Sequence, residues 1–124
     1  MKDTANSRRA RVLAVALALS VYAGLLGAVD KTLVEAANDG DVARVRALIS
    51  SGENLEAKVA SGTTALIAAS QKGKIEVVRV LLKAKANPNA IARGGVTALY
   101  QSSQFGYLDV VQALLAAGAN VPLP

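Results

Sequence analysis

A chain of 124 residues without cysteine or histidine has room for one small domain. It lacks disulfides, thiolate nucleophiles, imidazole bases and nearly every transition-metal site. Apolar residues make up 52% of it, but Trp is absent and only one Phe and three Tyr occur, so any core must be thin layers of Ala, Leu and Val. The net charge of +5 is uneven: Lys2, Arg8, Arg9 and Arg11 outnumber Asp3, whereas from Asp30 onward ten Lys/Arg are interspersed with eight Asp/Glu. That spacing argues against the clustered basic stripe of a nucleic-acid binder.

Residues 1–28 read as a segment of their own. Met1 to Arg11 is polar and basic, and Val12 to Val29, VLAVALALSVYAGLLGAV, carries no charge. A basic start before an apolar core is the layout of a secretory signal, and Val21 and Ala23 satisfy the small-residue rule for cleavage after Ala23. Those eighteen uncharged residues also sit at the lower limit for spanning a bilayer, about 17–25 residues. An uncleaved anchor is therefore the second reading, and a hydrophobic helix packed on the first folded unit is the third. Export would leave Arg8, Arg9 and Arg11 on the cytoplasmic side and everything after Asp30 beyond it. The expected location is the bacterial periplasm, or, for the anchored form, the inner membrane facing the periplasm.

Beyond Asp30 the chain repeats itself. With Ala57–Asn89 laid under Ala90–Pro122, fifteen of 33 positions are identical without a gap, among them Gly62/Gly95, Thr64/Thr97, Leu66/Leu99, Gly73/Gly106, Val78/Val111, Leu81/Leu114 and Asn87/Asn120. A weaker third copy lies upstream, where Leu33, Ala36, Gly40, Val45, Leu48 and Asn54 fall under Leu66, Ala69, Gly73, Val78, Leu81 and Asn87. Within one unit, Thr64 is placed to cap a short helix over Ala65–Ser70. Gly73 ends it, because the left-handed conformation costs least at glycine. The spacing predicts a second helix over Ile75–Lys83 that buries Ile75, Val78, Leu81 and Leu82, and Lys85-Ala86-Asn87-Pro88-Asn89 is turn material. Helices of about two turns do not stand alone in water, so they must share a core with neighbouring copies.

The run Gly62-x-Thr64-Ala65-Leu66-x-x-Ala69, then Gly73-x-x-x-Val77-Val78-x-x-Leu81-Leu82, then Ala86-Asn87-Pro88-Asn89-Ala90 resembles the ankyrin repeat; the period of this family is about 33 residues. The resemblance covers about Asp30 to Val121. It implies an all-α ankyrin-repeat solenoid of three helix-turn-helix repeats, at about 30–54, 55–87 and 88–120 within 30–121, with outward hairpin-like fingers. The N-terminal hydrophobic helix would precede it and a tail, 122–124, would follow. Three departures from the family pattern carry consequences. The usual Thr-Pro-Leu-His reads Thr64-Ala65-Leu66-Ile67 and Thr97-Ala98-Leu99-Tyr100, without the His. The turn glycine of Gly52 and Gly118 is replaced by Lys85, which costs about 1 kcal/mol if that residue turns left-handed. The Asp that opens the finger is replaced by Val59 and Ala92, which predicts less ordered tips.

The resemblance also implies a function. In this family, finger tips and the exposed end of each first helix line a concave binding surface. By register those positions are Lys58, Ala60, Ser61, Thr63, Gln71 and Lys72 in the second repeat. In the third they are Ile91, Arg93, Gly94, Val96, Gln104 and Phe105, and in the first Asn38 and Asp39. Phe105 and Tyr107 flank Gly106 at a turn expected to be exposed, and aromatics with Arg are the usual anchors of protein interfaces. Tyr100 reads equally as core and as contact. The hydroxyls Ser70, Ser102 and Ser103 have no His beside them and are expected on the polar face of short helices. The acidic pairs Asp39/Asp41 and Glu53/Glu56 belong to helix caps and turns, and Gly94-Gly95 lacks the surroundings of a phosphate loop. No catalytic residue, cofactor or metal is expected. The chain thus reads as a protein-binding adaptor; a membrane-tethered structural subunit is the alternative. The last helix, Leu108–Ala116, presents Val111, Leu114 and Leu115 with no repeat beyond them, so that end is expected to be adhesive, toward a partner or another copy.

Overall fold

Each repeat begins where a hydroxyl can take the place of a missing helical carbonyl. In the computed structural model, which describes residues 32–121, Thr32 caps α1 (Leu33–Asp39) in a capping box with Glu35. Thr64 and Thr97 likewise accept the Ile67 and Tyr100 amides at the starts of α3 (Ala65–Gln71) and α5 (Ala98–Phe105). Such caps contribute about 1 kcal/mol each. After each of these helices a left-handed glycine, Gly40, Gly73 or Gly106, reverses the chain into its partner: α2 (Val42–Ser50), α4 (Ile75–Lys83) and α6 (Leu108–Ala116). The segments 1–28 and 122–124, with the signal, anchor or tail expected there, lie outside the described residues.

The six helices form two rows. The inner row runs α1, α3, α5 and the outer row α2, α4, α6, each helix packing on its partner and on its neighbours in the row. Among the described residues there is no strand, only one isolated bridge between Ala92 and Val96, and no helix is long and apolar enough to cross a membrane. The all-helical solenoid is as the repeat predicts.

Small side chains let the inner helices approach closely. Ala36, Ala37, Ala65, Ala68, Ala69 and Ala98 are buried beside Leu33, Leu66 and Leu99. The helix over Ile75–Lys83 has the expected bounds, but its burial differs. Val77 is fully buried and Ile75 and Leu82 are only half-buried, because α4 is covered by α2, α3 and α6 together and hides more than one stripe. The sequence signal for this was the Val-Val pair, present at 77–78 and again at 110–111.

Two further expectations are corrected. Ser70 and Ser102 are fully buried, not on a polar face; only Ser103 is exposed. The cause is that α3 sits between α1 and α5, so every residue of 65–70 is covered, while Ser102 returns its hydroxyl to the Ala98 carbonyl at 2.9 Å. Leu114 is also fully buried, leaving Leu115 exposed and Val111 half-buried at the open end.

Candidate protein-binding surface

The same pair of backbone bonds closes both fingers. In the second repeat the Val59 amide donates to the Thr63 carbonyl at 3.1 Å and Gly62 to Val59 at 2.8 Å. Ala92 to Val96 at 2.8 Å and Gly95 to Ala92 at 3.2 Å reproduce the pair in the third. The missing Asp therefore does not open the tips. The Arg93 amide then donates to the Ser61 carbonyl at 3.1 Å, which ties one finger to the next and sets their side chains side by side.

Of the finger positions, Lys58, Ser61 and Arg93 are exposed, and Thr63 is half-buried with its hydroxyl 2.7 Å from that of Ser61. Val96 is half-buried and packs against the core, so part of its side chain is committed to the fold. The helix-end positions form a second group at the far end of the inner row, about 10 Å away along a seven-residue helix. Here Lys72, Gln104 and Phe105 are exposed and Gln71 is half-buried. The structure thus brings Ser61, Thr63 and Arg93 together, and separates them from Lys72, Gln104 and Phe105.

Tyr107 has a place in the fold as well. It is half-buried, and a methyl group at Gly73 would lie 2.8 Å from its ring. Lys74, at the same position one repeat earlier, covers Gly40 in the same way. Phe105 then stacks on Tyr107 with ring centroids 6.0 Å apart and planes at 29°. A 54% exposed Phe105 therefore stands on a ring that is itself held against the neighbouring repeat. Such a side chain has less freedom to lose when a partner covers it, which lowers the cost of association. Two exposed apolar residues extend the surface: Ile91 on the third finger and Leu108 at the start of α6. Leu108 was hidden in the sequence because its register equivalents, Val42 and Ile75, are apolar and half-buried.

The electrostatics of this side are simple. Lys58, Lys72 and Arg93 form no ion pair within the described residues, and Asp39 is the one acid among the surface positions named above. The arrangement offers one cation, Lys72, in the group that holds the apolar anchor Phe105, and Lys58 and Arg93 on the fingers at the other end of the inner helices.

The family model for ankyrin repeats, in three copies, matches residues 33–123. No curated protein matches the chain significantly. The protein belongs to the ankyrin-repeat family. Ankyrin repeats are generally protein–protein interaction modules, and the family is typically non-catalytic.

Proposed function

We propose that the protein is a non-catalytic adaptor, exported from the cytoplasm, that holds one protein partner on the concave side formed by its fingers and inner helices. The observation that carries this reading is Phe105, exposed on a fixed aromatic support, on the same side as Lys58, Lys72 and Arg93, which form no ion pair within the described residues. The partner this chemistry fits is a protein segment with an apolar side chain set among carboxylates. Aromatic and Arg anchors of this kind dominate the energetics of most interfaces. Interspersed acids elsewhere on the repeats disfavour nucleic acid as the partner.

Export is read from the basic start and uncharged run that end at Val29. Intact mass of the protein from its native cells tests it: loss of the chain through Ala23, or as far as Ala28, supports export with cleavage. Full length in a membrane fraction supports the tethered subunit instead. For the surface, Phe105→Ser combined with Arg93→Ala is expected to abolish affinity capture of the partner while leaving helix content unchanged, since both side chains are exposed. Undiminished capture by that double variant would place the contact elsewhere.

A further inference from the structure

Among the described residues, the outward face of the third repeat is uncovered at positions that the first and second repeats bury. Val34 and Ile67 are 8% and 2% exposed beneath the repeat that follows each, whereas Tyr100, their equivalent in the third repeat, is 51% exposed. Val45 and Val78 are fully buried and Val111 is not; Ile49 and Leu82 are half-buried and Leu115 is exposed. Positions buried in the first two repeats and open in the third are those that face the following repeat. Leu99, Tyr100, Ser103, Val111, Leu115 and Val121 line a depression of about 240 Å³ on this face. None of the six is Asp, Glu, Lys or Arg.

We propose that this face is covered by the same face of a second copy, in a two-fold, tail-to-tail dimer. The surface continues an interface that the chain already builds twice, α1 and α2 on α3 and α4, and α3 and α4 on α5 and α6. Its occupant should therefore be another repeat, and two orientations of a second copy could supply one. A head-to-tail copy would bring in the outward face of the first repeat, at the positions that the second and third repeats bury against the repeat before them. Val77 and Val110 are two of these, both fully buried, and their equivalent in the first repeat is Arg44. Head-to-tail stacking would set the half-buried, charged Arg44 against the apolar Val111, whereas the tail-to-tail arrangement sets apolar side chains on apolar ones. It would also continue into an open filament. Tail-to-tail pairing buries no charged residue and closes with two subunits. The Tyr100 ring can be buried there while its hydroxyl and that of Ser103 find partners across the axis. The dimer leaves both finger surfaces free, so a partner with two binding segments would be held at two points.

The protein contains no cysteine, so a single introduced thiol reports contact without ambiguity. Tyr100→Cys, Ser103→Cys and Leu115→Cys, each alone, are oxidised at dilute protein and read on non-reducing gels. In a two-fold pair a position near the axis meets its own counterpart, so at least one variant gives a covalent dimer, while Lys83→Cys on the outer row stays monomeric. By light scattering, Leu115→Glu is expected to raise the dimer dissociation constant at least ~10-fold with helix content unchanged. A monomeric mass at high concentration, with no cross-link from any single variant, overturns the proposal. So does a ladder formed only by the double variant Arg44→Cys/Tyr100→Cys, which would mark head-to-tail stacking. A dimer that survives Leu115→Glu overturns it too, by placing the contact on another surface.

Discussion

Lys85 adopts φ 73°, the one positive value outside glycine among the described residues. Its register equivalents are Gly52 and Gly118, at 88° and 91°. All three positions close the outer helix in the same way. The residue itself donates to a carbonyl three back, and the next amide to one five back, as Lys85 to Leu82 at 3.0 Å and Ala86 to Leu81 at 3.0 Å. This is the bonding of a Schellman-type end, where glycine is usual because a Cβ is disfavoured. Lys85→Gly is therefore expected to stabilise the protein by about 1 kcal/mol, offset in part by the greater freedom of glycine in the unfolded chain. Thermal unfolding followed by circular dichroism should show a rise of several degrees, roughly 4–8 °C per kcal/mol for a domain of this size. An unchanged or lower midpoint would mean that the Lys85 stem contributes more than its backbone conformation costs. The departure was visible in the sequence because the repeat supplies its own control at positions 52 and 118. The burial of Ser70 was not, since a serine at a repeat position looks the same whether it faces water or the next helix. Its hydroxyl is buried without a hydrogen-bond partner among the described residues, at the place where the first repeat has the buried Ala37.

At the scale of elements, helix type and order were legible because caps, stop glycines and apolar spacing recur at one period. What was not legible is how one repeat locks to the next. Besides the Arg93–Ser61 bond between fingers, two sets of contacts do this away from the apolar core. In the loops, Glu56 accepts the Asn87 amide at 2.8 Å, and Asn89, the register equivalent of Glu56, accepts the Asn120 amide at 2.7 Å. Beside the inner helix ends, Lys74 lies over Gly40 and Tyr107 over Gly73. A single-repeat reading assigns Glu56 to a turn and Tyr107 to the surface because the partner of each lies about one repeat away. Gly73→Ala tests the second set. It adds a Cβ 2.8 Å from the Tyr107 ring at a backbone φ of 67°, so it should destabilise by about 2 kcal/mol, part strain and part clash. In a Tyr107→Ala background the clash is gone and only the backbone strain remains. The double-mutant cycle should therefore show coupling of about 1 kcal/mol in denaturant melts. Strict additivity would mean that Tyr107 moves aside freely and holds nothing.

For the repeat unit as a whole, packing and recognition fall to different residues. The helices are held by Ala, Val and Leu, whose places the period reveals, so the fold could be read from the sequence almost completely. The binding side is built from side chains that the fold does not require, and these the period cannot rank. Lys58, Lys72 and Arg93 are outside the core and form no ion pair within the described residues, yet they all stand on the side that carries the fingers and inner helix ends. A cationic side draws an acidic partner before contact and raises the association rate more than it lengthens the life of the complex. Lys72→Glu should thus slow association with the captured partner about tenfold at low salt and change dissociation little. The deficit should shrink as the Debye length falls from about 10 Å at 0.1 M to about 3 Å at 1 M. Lys83→Glu makes the same change in net charge from the exposed surface of the outer row, which makes it the control. If the two variants slow association equally, the effect belongs to total charge and the finger side has no special part in steering. A loss confined to Lys72→Glu and erased by salt places the attraction on the inner helices, where Phe105 waits as the apolar anchor.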